Sequence, residues 1–546
     1  MIKRRHFLGG GVAAFTLAGP LAARAEDGLD IALVNAGLWT GQGTPAPGAV
    51  GLIGDRIATM GSAAVAARTS ARTRVVDLNG AFLMPAFIDN HTHFLNGSDK
   101  LSQADLLSAT SRDDFAARIA AWSRANPGKW VLGGSWDEQR LGGELPTRAW
   151  IDAATGDTPV AVPRTDLHMY LLNAAALKAA GITRDTPDPA GGVIVRDARG
   201  EPTGIIKDNA KELVERVIPP QTFAQCVGDT ALSKGVAQAH VPDIDWSSFH
   251  ALRGLRAKQA MDMRFYCFVP IADHAKLLGI IAEEGKGDDW VRWGGVKGLA
   301  DGSLGSRTAM FKADYSDAPG QRGVRVISLD DLRRWIPECD RAGLHVTTHA
   351  IGDLANDDVL DIYAETVRVN GERDRRFRIE HAQHVTPGSI PRFARQQIIA
   401  SVQPFHAIDD GRWAVTRIGR ERLNGTYAFH SLIASGARVT FGSDWPVAPI
   451  DPLLGVQAAV TRETIDGANP QGWLPDQKVS VADALTAYTT ANAYAGFQED
   501  RVGRVAPGYY ADLVCLDADP FTAPIEKIKD IKVLKTFVGG KERFTA

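Results

Sequence analysis

Two histidines stand two residues apart, His91 and His93, in the run Phe87-Ile88-Asp89-Asn90-His91-Thr92-His93-Phe94. They follow the apolar stretch Ala81-Phe82-Leu83-Met84-Pro85. A strand sends alternate side chains to opposite faces, so both imidazoles are expected on one side, where they can grip one divalent ion. Taken alone, the pair also fits two polar residues in a loop. Four more residues set it apart: Lys297, His349, His381 and Asp444 each close a short apolar segment of their own. Imidazole and carboxylate donors gathered at strand ends suit Zn²⁺ or a similar ion. Such an ion turns a bound water into hydroxide near neutral pH. An aspartate beside it can take the proton and later hand it to a leaving group. His345 shares the strand parity of His349 but lies four residues deeper and reads as structural. His384 has the opposite parity to His381 and falls outside the metal site.

The elements that must position these residues are legible as alternation. Eight apolar, strand-like segments lie near 83–91, 235–241, 264–269, 293–301, 344–349, 377–382, 398–404 and 438–444, with helical patterns between them, including 329–342 and 355–370. Strands alternating with helices imply a parallel sheet, and eight repeats imply a closed (β/α)₈ barrel of TIM type. Chemistry in such barrels sits at the C-terminal strand ends, where the candidate ligands fall. The barrel is expected over 81–494. Short strands at 31–34, 51–53, 74–78, 511–516 and 531–538 suggest a small β-sandwich domain built from both chain ends, 26–80 and 495–546. The stretch of about 97–230 is too long for one barrel connection. It carries its own strands, Trp130-Val131-Leu132-Gly133-Gly134 and Pro159-Val160-Ala161-Val162, and reads as an insertion over the barrel mouth.

Composition bounds the rest. The 546 residues are 45% hydrophobic and 23% charged, which is ordinary for a globular protein. Residues 1–25 read as an export signal: Lys3-Arg4-Arg5-His6-Phe7-Leu8, an apolar Gly/Ala-rich segment, then Ala23-Arg24-Ala25. The paired arginines suggest twin-arginine export to the periplasm. Cleavage after Ala25 removes four basic residues and no acid, moving the net charge of −3 to −7. A mildly acidic chain without a basic block argues against nucleic acid as a partner. No stretch of the mature chain is apolar enough to span a bilayer. Cys226, Cys267, Cys339 and Cys515 are widely spaced, without a C-x-x-C pair, and read as structural.

His91-x-His93, Val296-Lys297-x-x-x-Asp301-Gly302-Ser303, Thr348-His349-Ala350-Ile351-Gly352-Asp353, Arg378-Ile379-Glu380-His381-Ala382-Gln383 and Gly442-Ser443-Asp444-Trp445-Pro446, in this order, resemble the amidohydrolase superfamily. Gly134-Ser135-Trp136-Asp137, Asp166-x-His168 with Asn173-x-x-x-Leu177, and Gly503-x-x-x-Pro507-Gly508-x-x-Ala511-Asp512-Leu513 resemble its amidohydrolase-3, YtcJ-like branch, which includes N-substituted formamide deformylases. The resemblance spans nearly the whole mature chain. It implies that His91, His93, His349, His381 and Asp444 are metal ligands, from the first, fifth, sixth and eighth barrel strands. Lys297 takes the place of a lysine that, in several amidohydrolases, is carboxylated by CO₂ and bridges two ions. A carboxylated Lys297 implies two ions, whereas an inward Lys297 paired with Asp301 or another acid implies one. Asp444 is then also the proton shuttle. His168 is a candidate for polarising the substrate carbonyl, and Trp136, Asp137 and Arg307 for lining the pocket. The implied function is hydrolysis of a C–N bond in an amide, N-acyl or N-formyl substrate. Deamination, cyclic amide or lactone hydrolysis, and a non-catalytic binding module are the alternatives. A homodimer is compatible with the family.

Overall fold

The computed structural model describes residues 28–95, 104–106, 108–134, 136, 138–164, 169–189, 192–218, 226–305 and 307–546. The export signal expected at 1–25 lies outside them, as do Asp137, Asp166 and His168.

Eight strands form the central sheet: β1 Phe87–Asp89, β2 Val236–Val241, β3 Arg264–Pro270, β4 Val291–Leu299, β5 His345–Ala350, β6 Arg378–His381, β7 Ile399–Val402 and β8 Val439–Phe441. They pair in chain order, each parallel to the next. Nearly every residue in them is buried. Burial on both faces is why they read as continuous apolar runs instead of alternating ones. Side chains close the seam between β8 and β1. Asn492 Nδ2 donates to the carbonyls of both Ile88 and Phe441, and Asp89 accepts from the amide and hydroxyl of Ser443. A Cβ added to Gly442 would stand 2.6 Å from the His91 nitrogen, so the close approach at this seam requires glycine. The (β/α)₈ architecture expected from the alternation is present, with helices such as Leu329–Arg341 and Asp353–Asn370 on its outside. Ser328 caps the first of these through the Asp331 amide.

One strand boundary differs. The segment expected near 83–91 is two strands with different partners. Phe82–Pro85 pairs antiparallel with Leu513–Leu516, and the chain turns at Ala86 into β1. Phe82–Pro85 therefore joins a mixed eight-stranded sheet. Its other strands are Ile31–Leu38, Ala46–Ile53, Arg56–Met60 and Arg74–Asp77 from one chain end, and Leu513–Leu516, Val533–Val538 and Lys541–Thr545 from the other. The buried Arg264 at the start of β3 grips Asp512 with two hydrogen bonds, of 2.6 and 3.1 Å, and so ties this sheet to the barrel.

Within the expected insertion a five-stranded sheet runs in the order Gly192–Arg196, Pro202–Asp208, Met169–Leu172, Val160–Pro163, Val131–Leu132. It packs its own apolar clusters, around Phe115 and Trp150 and around Leu172 and Ile206. Cys267, Cys339 and Cys515 are free and buried. Among the described residues no helix is long and apolar enough to cross a membrane.

Candidate metal centre

The strand β1 ends at Asp89, so His91 and His93 lie just beyond it, in the segment that bends over the barrel mouth. They still converge, because that segment is pinned to the far side of the seam. Asp444 N donates to the His91 carbonyl at 2.6 Å, and His93 N donates to the Trp445 carbonyl at 2.8 Å. His91 Nε2 and His93 Nε2 then lie 3.5 and 3.2 Å from the same atom, Asp444 Oδ1. Asp444 holds φ 60° and His381 φ 73°, left-handed values that cost a non-glycine residue about 1–3 kcal/mol. Both occur at the ends of barrel strands, with the side chains turned into one cluster.

The imidazole orientations follow from hydrogen bonds behind them. His91 Nδ1 lies 2.6 Å from Glu380 Oε2, and His381 Nδ1 lies 2.8 Å from Gln403 Oε1. Each Nδ1 therefore carries the proton and leaves the Nε2 lone pair for the centre, the arrangement usual for a metal-ligating histidine. Glu380 is itself fully buried. Burial opposes its charge, but Arg378 and His91 hold the carboxyl well below the usual carboxylate range. Arg378 Nη2 lies 2.7 Å from it, and Thr347 and Ser401 donate to it. Burial, then Lys297, pushes His91 down to about 4, so its ring is neutral at ordinary pH. Asp444 stays ionised: burial works against its charge, and the neighbouring rings of His93, His91, His381 and His406 outweigh it.

Three buried polar atoms in this cluster lack a hydrogen-bond partner among the described residues: His91 Nε2, Asp444 Oδ1 and His406 Nε2. Buried polar atoms are almost always satisfied, so three free donors in one cluster suit the binding of a cation. His91, His93 and Asp444 bring three donor atoms within 4.8 Å of one another, and so do His381, His406 and Asp444. Two imidazoles and a carboxylate are a fitting donor set for Zn²⁺.

His406 was not singled out by sequence pattern. It lies on the helix Pro404–Asp410 directly after β7, one turn past the strand end, where a parity test does not reach. The run Gln403-Pro404-Phe405-His406 was nonetheless a signal, since a barrel's C-terminal strand ends carry its site. Glu380 sat inside a recognised motif, and its work of orienting His91 is visible only in three dimensions.

The other expected residues lie as follows. His349 Nε2 donates to the Gly302 carbonyl at 3.1 Å and lies 3.4 Å from Asp301 Oδ1, while its ring sits 4.5 Å from that of His381. It belongs to neither three-donor group. Lys297 is buried opposite Thr347 and Pro270, with no hydrogen-bond partner among the described residues. It is not paired with Asp301, whose oxygens accept from the amides of Met310, Ile351 and Gly352. Burial lowers the Lys297 pKa against the opposing pull of Glu380, Asp243 and Asp444. Trp136 is fully buried in the insertion's core, its Nε1 donating to the Val162 carbonyl at 2.9 Å. Arg307 makes a two-point ion pair with Asp317, at 3.1 and 2.9 Å. His345 and His384 sit away from the cluster. Tyr266 and the Arg376 carbonyl take both ring nitrogens of His345, and Thr426 holds Nδ1 of His384.

The family model described as "Amidohydrolase family" matches residues 74–544. "Protein LONG AFTER FAR-RED 3" of Arabidopsis thaliana is 38% identical over 493 residues, covering 86% of this chain and 84% of its own. "Putative amidohydrolase YtcJ" of Bacillus subtilis is 33% identical, covering 86% and 90%. "N-substituted formamide deformylase" of Arthrobacter pascens is 27% identical, covering 91% and 94%. Among solved structures, an uncharacterized metal-dependent hydrolase from Pyrococcus horikoshii superposes with a TM-score of 0.74 at 29% identity, over 91% of this chain and 99% of its own.

Proposed function

The chain belongs to the amidohydrolase family, a family of metal-dependent hydrolases, and from that premise we propose that it hydrolyses the C–N bond of an N-formyl or N-acyl amide. The observation that carries the reading is the set of orphaned donors, His91 Nε2, Asp444 Oδ1 and His406 Nε2, at the C-terminal end of the barrel. The choice of an amide is supported by the similarity to the formamide deformylase over most of both chains.

His91, His93 and Asp444 would hold the first ion, with His381 beside them. A Zn²⁺ ion in such a site acts as a Lewis acid on a carbonyl oxygen and brings the pKa of water near 7. Asp444 is ionised and can accept a proton from the attacking water. It returns that proton to the amide nitrogen, so the C–N bond breaks with a neutral amine leaving. Glu380 keeps the His91 ring in one tautomer throughout. Lys297 is a buried lysine, and burial favours the neutral form of its amine, the form that adds CO₂. We read it as carboxylated, a form that would offer its oxygens as further donors to a metal centre of one or two ions. The leader at 1–25 supports a periplasmic location, which fractionation of the full chain tests. A homodimer remains part of the reading, and sizing of the purified protein tests it.

The direct experiment is amine release from a panel of N-substituted formamides and N-acyl amines by Zn²⁺-loaded protein. Turnover should appear with loaded parent protein and vanish with chelator. An Asp444→Asn protein as active as the parent would sink the proton-transfer role, and no amine release from any amide would sink the substrate class.

A further inference from the structure

A cavity of about 380 Å³ opens at the N-terminal floor of the barrel, beneath the strand starts at Tyr266, Arg292 and His345 and at the opposite end from the metal cluster. Five lysine and arginine side chains line it, against three acids. Three of the five are committed: Arg501 pairs with Asp289, and Arg373 and Arg375 share Asp340. The acids are committed too. Asp288 accepts from Arg256 and two backbone amides, Asp289 from Tyr510 as well as Arg501, and Asp374 pairs with Arg376. Lys286 and Arg292 are left without an acid among the described residues. Arg292 donates through Nη2 to the Gly496 carbonyl at 2.5 Å and lies over the Tyr266 ring at 4.3 Å, so Nε and Nη1 keep no hydrogen-bond partner among the described residues. Lys286 donates to the Gly343 carbonyl at 2.7 Å, which uses one of three ammonium protons. Its stem crosses the backbone of Gly294, where a Cβ would stand 3.0 Å from Lys286 Cδ, so the glycine makes room for it. Burial pushes the pKa of both cations down, and a further cation stands beside each, Arg373 by Lys286 and Arg501 by Arg292. Partly buried charge without a counter-charge is costly, and an anion in the cavity offsets that cost.

We propose that this cavity binds a small dicarboxylate, one carboxylate on Arg292 and the other on Lys286, with the carbon chain against Trp293 and Phe497. Two cations without acids call for two negative charges, and a guanidinium fork matches a carboxylate. A cavity of this volume takes a small organic molecule. The site lies apart from the metal centre, and the inference does not depend on the hydrolase reading.

The test is equilibrium dialysis of the full chain against radiolabelled malonate, succinate, glutarate and adipate, with butyrate as a one-charge counterpart, in the metal-loaded state and again in chelator. One equivalent of the best diacid should bind in both states, and butyrate should bind about 10-fold more weakly or not at all. Arg292→Gln and Lys286→Met should each weaken the diacid by about 10-fold, with circular dichroism verifying the fold. Diacid binding that vanishes in chelator and survives both substitutions places the anion on the metal centre and overturns the proposal. Equal affinity for butyrate, or no diacid bound at millimolar concentration, overturns it as well. Should Arg292→Gln fail to fold, Lys286→Met decides alone: its side chain is exposed, and parental affinity in that variant refutes the assignment.

Discussion

The two ends of the barrel both bury histidines and charges, but they treat them differently. At the N-terminal floor, His345 has Tyr266 on one ring nitrogen and the Arg376 carbonyl on the other, and Arg264 donates to Asp512 twice and to the Asp289 carbonyl. At the C-terminal mouth, His91, His406 and Asp444 each keep one buried atom unpartnered. Residue type does not separate the two ends; for the histidine rings, completeness of hydrogen bonding does. A satisfied buried histidine holds a structure in place, whereas an unsatisfied one marks where something else binds.

The contrast can be broken most severely at the mouth. Asp444→Asn should leave the melting profile in chelator near that of the parent while cutting turnover of the loaded protein by about 10²–10⁴-fold, the range a positioned proton-transfer group supplies. Steady-state kinetics on the best amide, with melting curves alongside, checks both halves. At the floor the pattern should invert. Asp512→Ala strands a buried guanidinium and should cost about 3–5 kcal/mol of stability, read by denaturant unfolding, with bound metal per folded chain unchanged.

Metal removal sharpens the same division. An ion that binds only the folded chain, at 1,000 times its dissociation constant, stabilises by about 4 kcal/mol. Chelation should therefore lower the melting temperature of the parent but shift that of His93→Gln much less. Equal shifts in the two proteins would place the ion elsewhere.

The smallest effect is a pH dependence away from the metal cluster. Burial pushes His345 and His384 down to about 3. The unfolded chain then binds protons that the folded chain refuses between about pH 6.5 and 3, so stability is full above about 6.5 and falls as the pH drops through that window. Each ring costs about 1.4 kcal/mol per pH unit within it. Melts of His384→Asn in chelator between pH 7 and 5 should show a slope shallower than the parent's by one proton, and an unchanged slope would contradict the assignment.

The barrel was legible in the sequence because parallel strands buried on both faces must be continuously apolar, and the eight segments each contain a strand. The helix expected at 329–342 appears as Leu329–Arg341. The boundary at Pro85 was not legible. The residues of Phe82–Pro85 are as apolar as those of β1, and only the arrival of Leu513–Leu516, over 400 positions away, separates them. Similarly, Trp136 sits in a motif of the right type, yet its indole is committed to the Val162 carbonyl.

The sequence by itself determined the family, the parallel barrel and the approximate position of His91, His93, His381 and Asp444, because periodicity and motif order are local properties. Only the tertiary structure decided which donor atoms are free. That depends on partners such as Glu380, Gln403 and Gly302, brought from distant strands to particular ring nitrogens. It also brought in His406, whose place on a helix turn gave no strand parity to read, and turned His349 Nε2 to a carbonyl. A ligand is defined by the lone pair that nothing else in the fold claims, and that is settled only when every neighbour has been placed.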